Sequence, residues 1–129
     1  MQTIKMTLMA CLTAFFLASC DADSKEKVID DSIAGLEEMA TILEGVSDKA
    51  SAEKAKLKLE TLIAKMDKVE TRSKALGITK EDIQKEIKGN EKYKKKMGAV
   101  MTKMMDSMKK MAMNKEIRDI LEDAIKKLN

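Results

Sequence analysis

Apolar residues recur along most of this chain at alternating steps of three and four, the spacing of one face of an α-helix. In the first such stretch Ile29, Ile33, Leu36, Ala40 and Leu43 set the rhythm, and Val28, Met39, Ile42 and Val46 widen the stripe. Ser24 stands where an N-cap belongs. The stretch ends in Gly45-Val46-Ser47-Asp48. Gly45 suits a left-handed closing residue, Val46 a returning apolar contact, and Ser47 or Asp48 the next N-cap. The second stretch keeps the rhythm through Ala52, Ala55, Leu59, Leu62, Met66, Val69, Ser73 and Leu76, then stops at Gly77-Ile78-Thr79. Thr79 with Asp82 three residues on is a capping box with Asp in place of Glu.

A third stretch runs from Lys80 to about Ala112 through Ile83, Ile87, Met97, Met101, Met104, Met108 and Met111. Gly89-Asn90 and the polar run Glu91–Lys96 interrupt it, so a kink or a split is expected there. Asn114 reads as the N-cap of a last short helix with Ile117, Ile120, Leu121, Ala124, Ile125 and Leu128 on one face. No stretch alternates as a strand does. The pattern predicts an all-α domain over residues 24–129, an antiparallel bundle of three long helices and a short C-terminal one joined by tight turns. A dimeric coiled coil is the rival architecture, because heptad-like steps persist through three segments; the two glycine turns favour folding back within one chain, and self-association of the bundle stays open.

The start of the chain has a different character. After Lys5 no charged residue occurs from Met6 to Ala18. Thirteen such residues make a helix of about 20 Å, too short for a hydrocarbon core of about 30 Å and suited to a signal-peptide core. The core ends in Leu17-Ala18-Ser19-Cys20, which resembles the lipobox of bacterial lipoproteins. The resemblance implies a signal peptide over residues 1–19, cleaved between Ser19 and Cys20, with a diacylglyceryl group on the Cys20 thiol and an acyl chain on its new amino group. Two or three acyl chains exceed the marginal hold of one, so membrane lipid would be the first partner and the address an extracytoplasmic membrane face. Asp21 resembles the signal that retains enteric lipoproteins in the inner membrane. Residues 20–23 would then be the lipidated cysteine and a short tether. The stretch Asp48–Ala55, DKASAEKA, with the leucines and the Tyr- and Met-bearing helix that follow, also resembles small uncharacterised helical bacterial lipoproteins; that resemblance implies no function.

Composition narrows the chemistry. The chain has no His, Trp or Pro, and Phe15, Phe16 and Cys11 all lie in the leader. A cleaved and acylated chain therefore keeps one aromatic, Tyr93, and no free thiol, which excludes catalysis by His or Cys and a zinc-type ligand set. Residues 21–46 hold eight acidic and two basic residues, residues 47–76 eight basic and five acidic, and residues 79–113 ten basic and five acidic. The plainest meaning is complementary faces within one bundle. Nucleic-acid binding is the sharper reading, but an exported domain is not expected to meet nucleic acid, and a basic face toward anionic lipid headgroups is favoured over it. The adjacent carboxylates Asp30-Asp31, Glu37-Glu38 and Glu122-Asp123 diverge by about 100° on a helix and cannot flank one bond. With no nucleophile elbow, phosphate loop or EF-hand loop, a non-enzymatic binding or structural module is expected, without a cofactor beyond the lipid on Cys20.

Two features remain as candidate contacts. Met97, Met101, Met104, Met105, Met108, Met111 and Met113 are seven of the twelve methionines in the chain. They read first as adaptable core filler. The alternatives are a Met-lined groove for a partner, or a Cu(I) or Ag(I) site drawn from Met101, Met104, Met105, Met108 and Met111. Lys92-Tyr93-Lys94-Lys95-Lys96 is a compact basic run, read as a solvated face or as a contact for phospholipid headgroups or an acidic partner.

Overall fold

In the computed structural model, residues 24–127 are described, and among them every regular element is helical. Among the described residues five helices form: α1 (Lys25–Glu44), α2 (Lys49–Ala75), α3 (Lys80–Gly89), α4 (Glu91–Met113) and α5 (Lys115–Lys126). The third long helix expected from the periodicity is thus two. Asn90 is extended (φ −119°, ψ 116°), and its side chain accepts the Lys92 N–H at 3.0 Å to start α4 afresh. The signal peptide expected over residues 1–19, with Ser19, and Cys20, Asp21 and Leu128 lie outside the described residues.

The other boundaries follow from capping chemistry. Ser24 Oγ accepts the Lys27 N–H at 3.2 Å, and Asn114 Oδ1 accepts the Ile117 N–H at 3.3 Å. Asp48 and Ser51 form a reciprocal box at 2.7 and 2.9 Å, as do Thr79 and Asp82 at 3.1 and 2.9 Å. The two glycine stops, alike in sequence, differ in space. Gly77 has φ +68°, and the Ile78 N–H reaches Ser73 O while the Gly77 N–H reaches Lys74 O, a Schellman closure. Gly45 stays right-handed at φ −75°, contrary to expectation. The Val46 N–H bonds Leu43 O at 3.2 Å, so a tight right-handed turn closes α1 while Val46 still buries its side chain.

α1 packs against both α2 and α4, and α5 lies chiefly against α2. α1 and α4 run in one direction, since Tyr93 near the start of α4 packs on Ile29 and Ile33, and Met111 near its end joins Leu43. α2 and α5 run the opposite way, with Lys49 and Glu116 in their first turns 3.3 Å apart. The antiparallel bundle is therefore up-down-up-down, with α3 packed at the base through Ile83 and Ile87. Apolar burial concentrates in two clusters. The upper one joins Leu43, Ala55, Leu59, Ile117 and Leu121; the lower joins Ile29, Ile33 and Tyr93.

Charge follows the same partition. Acids of α1 meet bases of its neighbours: Asp31 with Arg72 at 2.7 Å, Glu38 with Lys65 at 3.0 Å and Glu44 with Lys103 at 3.4 Å. The acidic segment and the two basic ones are thus complementary faces of one fold. Gly35 is buried where Met66 crosses α1, and a Cβ there would overlap the Met66 sulfur. Gly98, by contrast, has open space around it.

Candidate functional site

The methionines of α4 divide according to a register that the sequence hides. Tyr93, Val100, Ser107 and Met111 are the buried residues of this helix. Together with half-buried Met97 and Met104 they step 93, 97, 100, 104, 107, 111, an unbroken four-three alternation that is the a/d seam of a heptad. Every other methionine falls off that seam. Met101, Met105 and Met108 are 54, 54 and 58% exposed, and Met113 is 89% exposed. The expectation of core filler therefore holds for Met111 and in part for Met97 and Met104, and fails for the rest.

The physical reason is Ser107. Its hydroxyl donates to Lys103 O at 2.8 Å, so its polar atom is satisfied within the helix and the small side chain can be buried. A hydrophobicity count passes over a serine and shifts the stripe onto Met101 and Met108. Val100 was the available signal: with Tyr93 and Ser107 it repeats every seven residues.

Off the seam, Met101, Met105, Met108 and Ala112 are spaced by four, three and four and form a narrow apolar strip along the flank of α4. Its upper end opens into a groove of about 370 Å³ between α4 and α5, where Met108, Met111 and Ile125 face Glu122 and Lys126. Glu122 pairs with Lys126 at 2.7 Å, which holds its carboxyl below the ordinary range and closes one polar rim of the groove. Thioethers on such a strip are soft, polarisable and conformationally adaptable, the properties of surfaces that accept varied apolar partners.

The basic run also changes on folding. Tyr93 is 3% exposed at the heart of the lower cluster, so most of its side chain is taken up by packing within the bundle. Burial is the main reason its phenol is pushed above the ordinary value, with the neighbouring Asp30 carboxylate adding to it. Lys92, Lys94 and Lys95 remain exposed around it and Lys96 is half-buried. Lys94 is occupied by Glu91 at 2.9 Å, and the Lys92 ammonium stands 5.8 Å from the Tyr93 ring centre.

A groove of about 520 Å³ lies between the C-terminal half of α2, α1 and the start of α3, walled by Ile63, Met66, Val69 and Ile83. Two of its hydroxyls are directed at the backbone: Ser32 donates to Val28 O at 2.8 Å and Ser73 to Ile78 O at 2.9 Å. The adjacent carboxylates Asp30 and Asp31 diverge. Asp31 turns to Arg72 on α2, while Asp30 faces Tyr93 on α4. Among the described residues no group of three or more His, Cys, Asp or Glu stands close enough to hold a metal ion, and no helix is long and apolar enough to cross a membrane. Comparison of the chain with family models, curated proteins and solved structures returns no match.

Proposed function

We propose that this chain is a lipoprotein, cleaved before Cys20 and held by acyl chains on that cysteine at the extracytoplasmic face of a membrane. Its helical bundle acts without catalysis, binding another envelope protein through the methionine strip of α4. The anchor rests on Leu17-Ala18-Ser19-Cys20 and the apolar leader before it. The observation that carries the binding role is the exposure of Met101, Met105 and Met108, each more than half in solvent on a helix whose other face supplies the core. Three large apolar side chains on one strip have a burial energy that the fold itself leaves unused.

The test is crosslinking of the native chain in its membrane, beside a variant with Met101, Met105 and Met108 changed to Gln. Glutamine keeps length and helix propensity while removing the apolar surface. A crosslinked partner lost in the variant, with helicity unchanged, supports the reading. Crosslinks of the chain to itself alone would replace the partner with a second copy. Acylation persisting in Cys20→Ala would remove the anchor.

The same exposure favours a second reading, Cu(I) or Ag(I) binding by thioethers at spacings of four and three. Titration with Cu(I) against a chromophoric chelator separates the two, because tight stoichiometric binding lost on changing Met101, Met104, Met105 and Met108 to Leu belongs to the metal reading alone.

A further inference from the structure

We infer that the corner between α3 and α4 is a docking surface for anionic phospholipid headgroups, which lays the base of the bundle on the membrane that anchors it. The inference rests on the lipoprotein reading above. Cys20 is four residues from Ser24, the N-cap of α1. Four residues of fully extended chain reach about 14 Å. An anchored Cys20 therefore keeps the first turn of α1 within about one helix diameter of the headgroups.

The fold decides which residues share that end. Lys25 in the first turn of α1 pairs with Glu86 of α3 at 3.6 Å, and Ile29 packs against Tyr93 of α4. Lys25, Glu26, Glu86, Asn90 and Tyr93 line one shallow cleft there, so the ends of α1, α3 and α4 meet. Around this junction stand Lys88, Lys92, Lys95 and Lys96. Among the described residues none of the four is in an ion pair. Of the acids nearby, Glu86 pairs with Lys25, Glu91 with Lys94 and Asp31 with Arg72, while Asp30 faces the Tyr93 hydroxyl and Glu26 is in no ion pair among the described residues. Folding thus pairs three acids of this end and leaves its four unpaired lysines facing only Glu26 and Asp30. The tether itself carries Asp21 and Asp23, so the attraction comes from the α3–α4 corner and not from the tether. The opposite end of α1 lies about 30 Å away, beyond several Debye lengths at physiological salt.

The surface is tested on the lipidated full chain, reconstituted in vesicles of phosphatidylcholine alone or with about 30 mol% phosphatidylglycerol, an anionic surface that attracts juxtamembrane lysines. A nitroxide on Gly89→Cys reports the corner, where an added Cβ meets open space, and one on Met113→Cys reports the far end of α4. Collision with a neutral water-soluble nickel chelate is read at each. At position 89 it is expected to fall about threefold in anionic vesicles and to recover at high salt, where screening is complete. At position 113 it stays unchanged. Lys88→Glu, Lys92→Glu, Lys95→Glu and Lys96→Glu together abolish the protection, with helicity as the control; the salt series serves if that variant does not fold. Equal collision at position 89 in both vesicles, or protection indifferent to salt, overturns the inference. Protection that appears only on adding an acidic envelope protein also overturns it, since the partner is then a protein. A chain that does not float with neutral vesicles refutes the anchor instead. The corner is then judged by salt-sensitive flotation with anionic vesicles, whose absence overturns it.

Discussion

Neighbouring residues of α4 should respond to truncation in an order opposite to their size. Val100 is 3% exposed on the seam facing α1, while Met105 is 54% exposed on the flank. Changing Val100 to Ala removes two buried methyl groups, about 1.6 kcal/mol at roughly 0.8 kcal/mol each. The space they vacate, about 50 Å³ at roughly 24 cal/mol per Å³, adds about 1.2 kcal/mol. The better helix propensity of Ala returns about 0.5 kcal/mol. The net loss is about 2 kcal/mol, a large share of the stability of a domain this size. Met105→Gln changes a larger apolar side chain and should stay within about 0.5 kcal/mol, as surface substitutions do. Urea unfolding of residues 24–129, followed by far-ultraviolet circular dichroism, measures both. Equal losses, or a loss above about 1 kcal/mol for Met105→Gln, would refute the 93–111 seam and return the methionines to the core.

Glycine positions give a second contrast. Gly77→Ala should destabilise by about 1 kcal/mol, because φ +68° suits no Cβ, whereas Gly98→Ala, exposed in mid-helix with open space around it, should stabilise by about the same amount. Leu121→Ala, at a position with no solvent exposure between α5 and α2, should cost about 3 kcal/mol in the same assay. In acid, the depressed carboxyls of Asp48 and Asp82 matter. Each is lowered first by the backbone hydrogen bond of its capping box, from Ser51 and Thr79 respectively. A carboxyl depressed by folding contributes stability above its ordinary value of 3.8, and that contribution disappears as pH falls through the lower folded value. Stability should therefore drop as pH is lowered below about 4, and the drop should be shallower in Asp48→Ala with Asp82→Ala, measured by the urea midpoint against pH.

Local chemistry determined much of this fold from the chain alone. Ser24, Asp48, Thr79 and Asn114 cap helices where hydroxyl, carboxylate or amide meets the first free backbone N–H groups, an interaction confined to a few consecutive residues. The apolar rhythm of α1, α2 and α5 names their buried residues because those stripes contain few competing apolar positions. Leu76, on the rhythm yet 43% exposed, shows the limit even there, while Leu57, off the rhythm, is 66% exposed. The acid and base segments likewise find each other, since opposite charges on facing helices need only be near.

Tertiary structure decided where several apolar positions offered more than one stripe. In α4 the methionines occupy enough of the helix surface for two registers to look equally apolar, and contact with α1, α3 and α5 selects the one that contains Val100 and Ser107. Gly45 and Gly77 share a sequence context, yet only the second is left-handed, because closure depends on which backbone carbonyls the following chain can still reach. Tyr93 sits in a run of lysines and is nonetheless buried, since the break at Asn90 turns α4 so that this position meets Ile29 and Ile33. A sequence states which side chains avoid water; which of them succeed is set by the partner helices, because a helix has room for only one stripe against each neighbour.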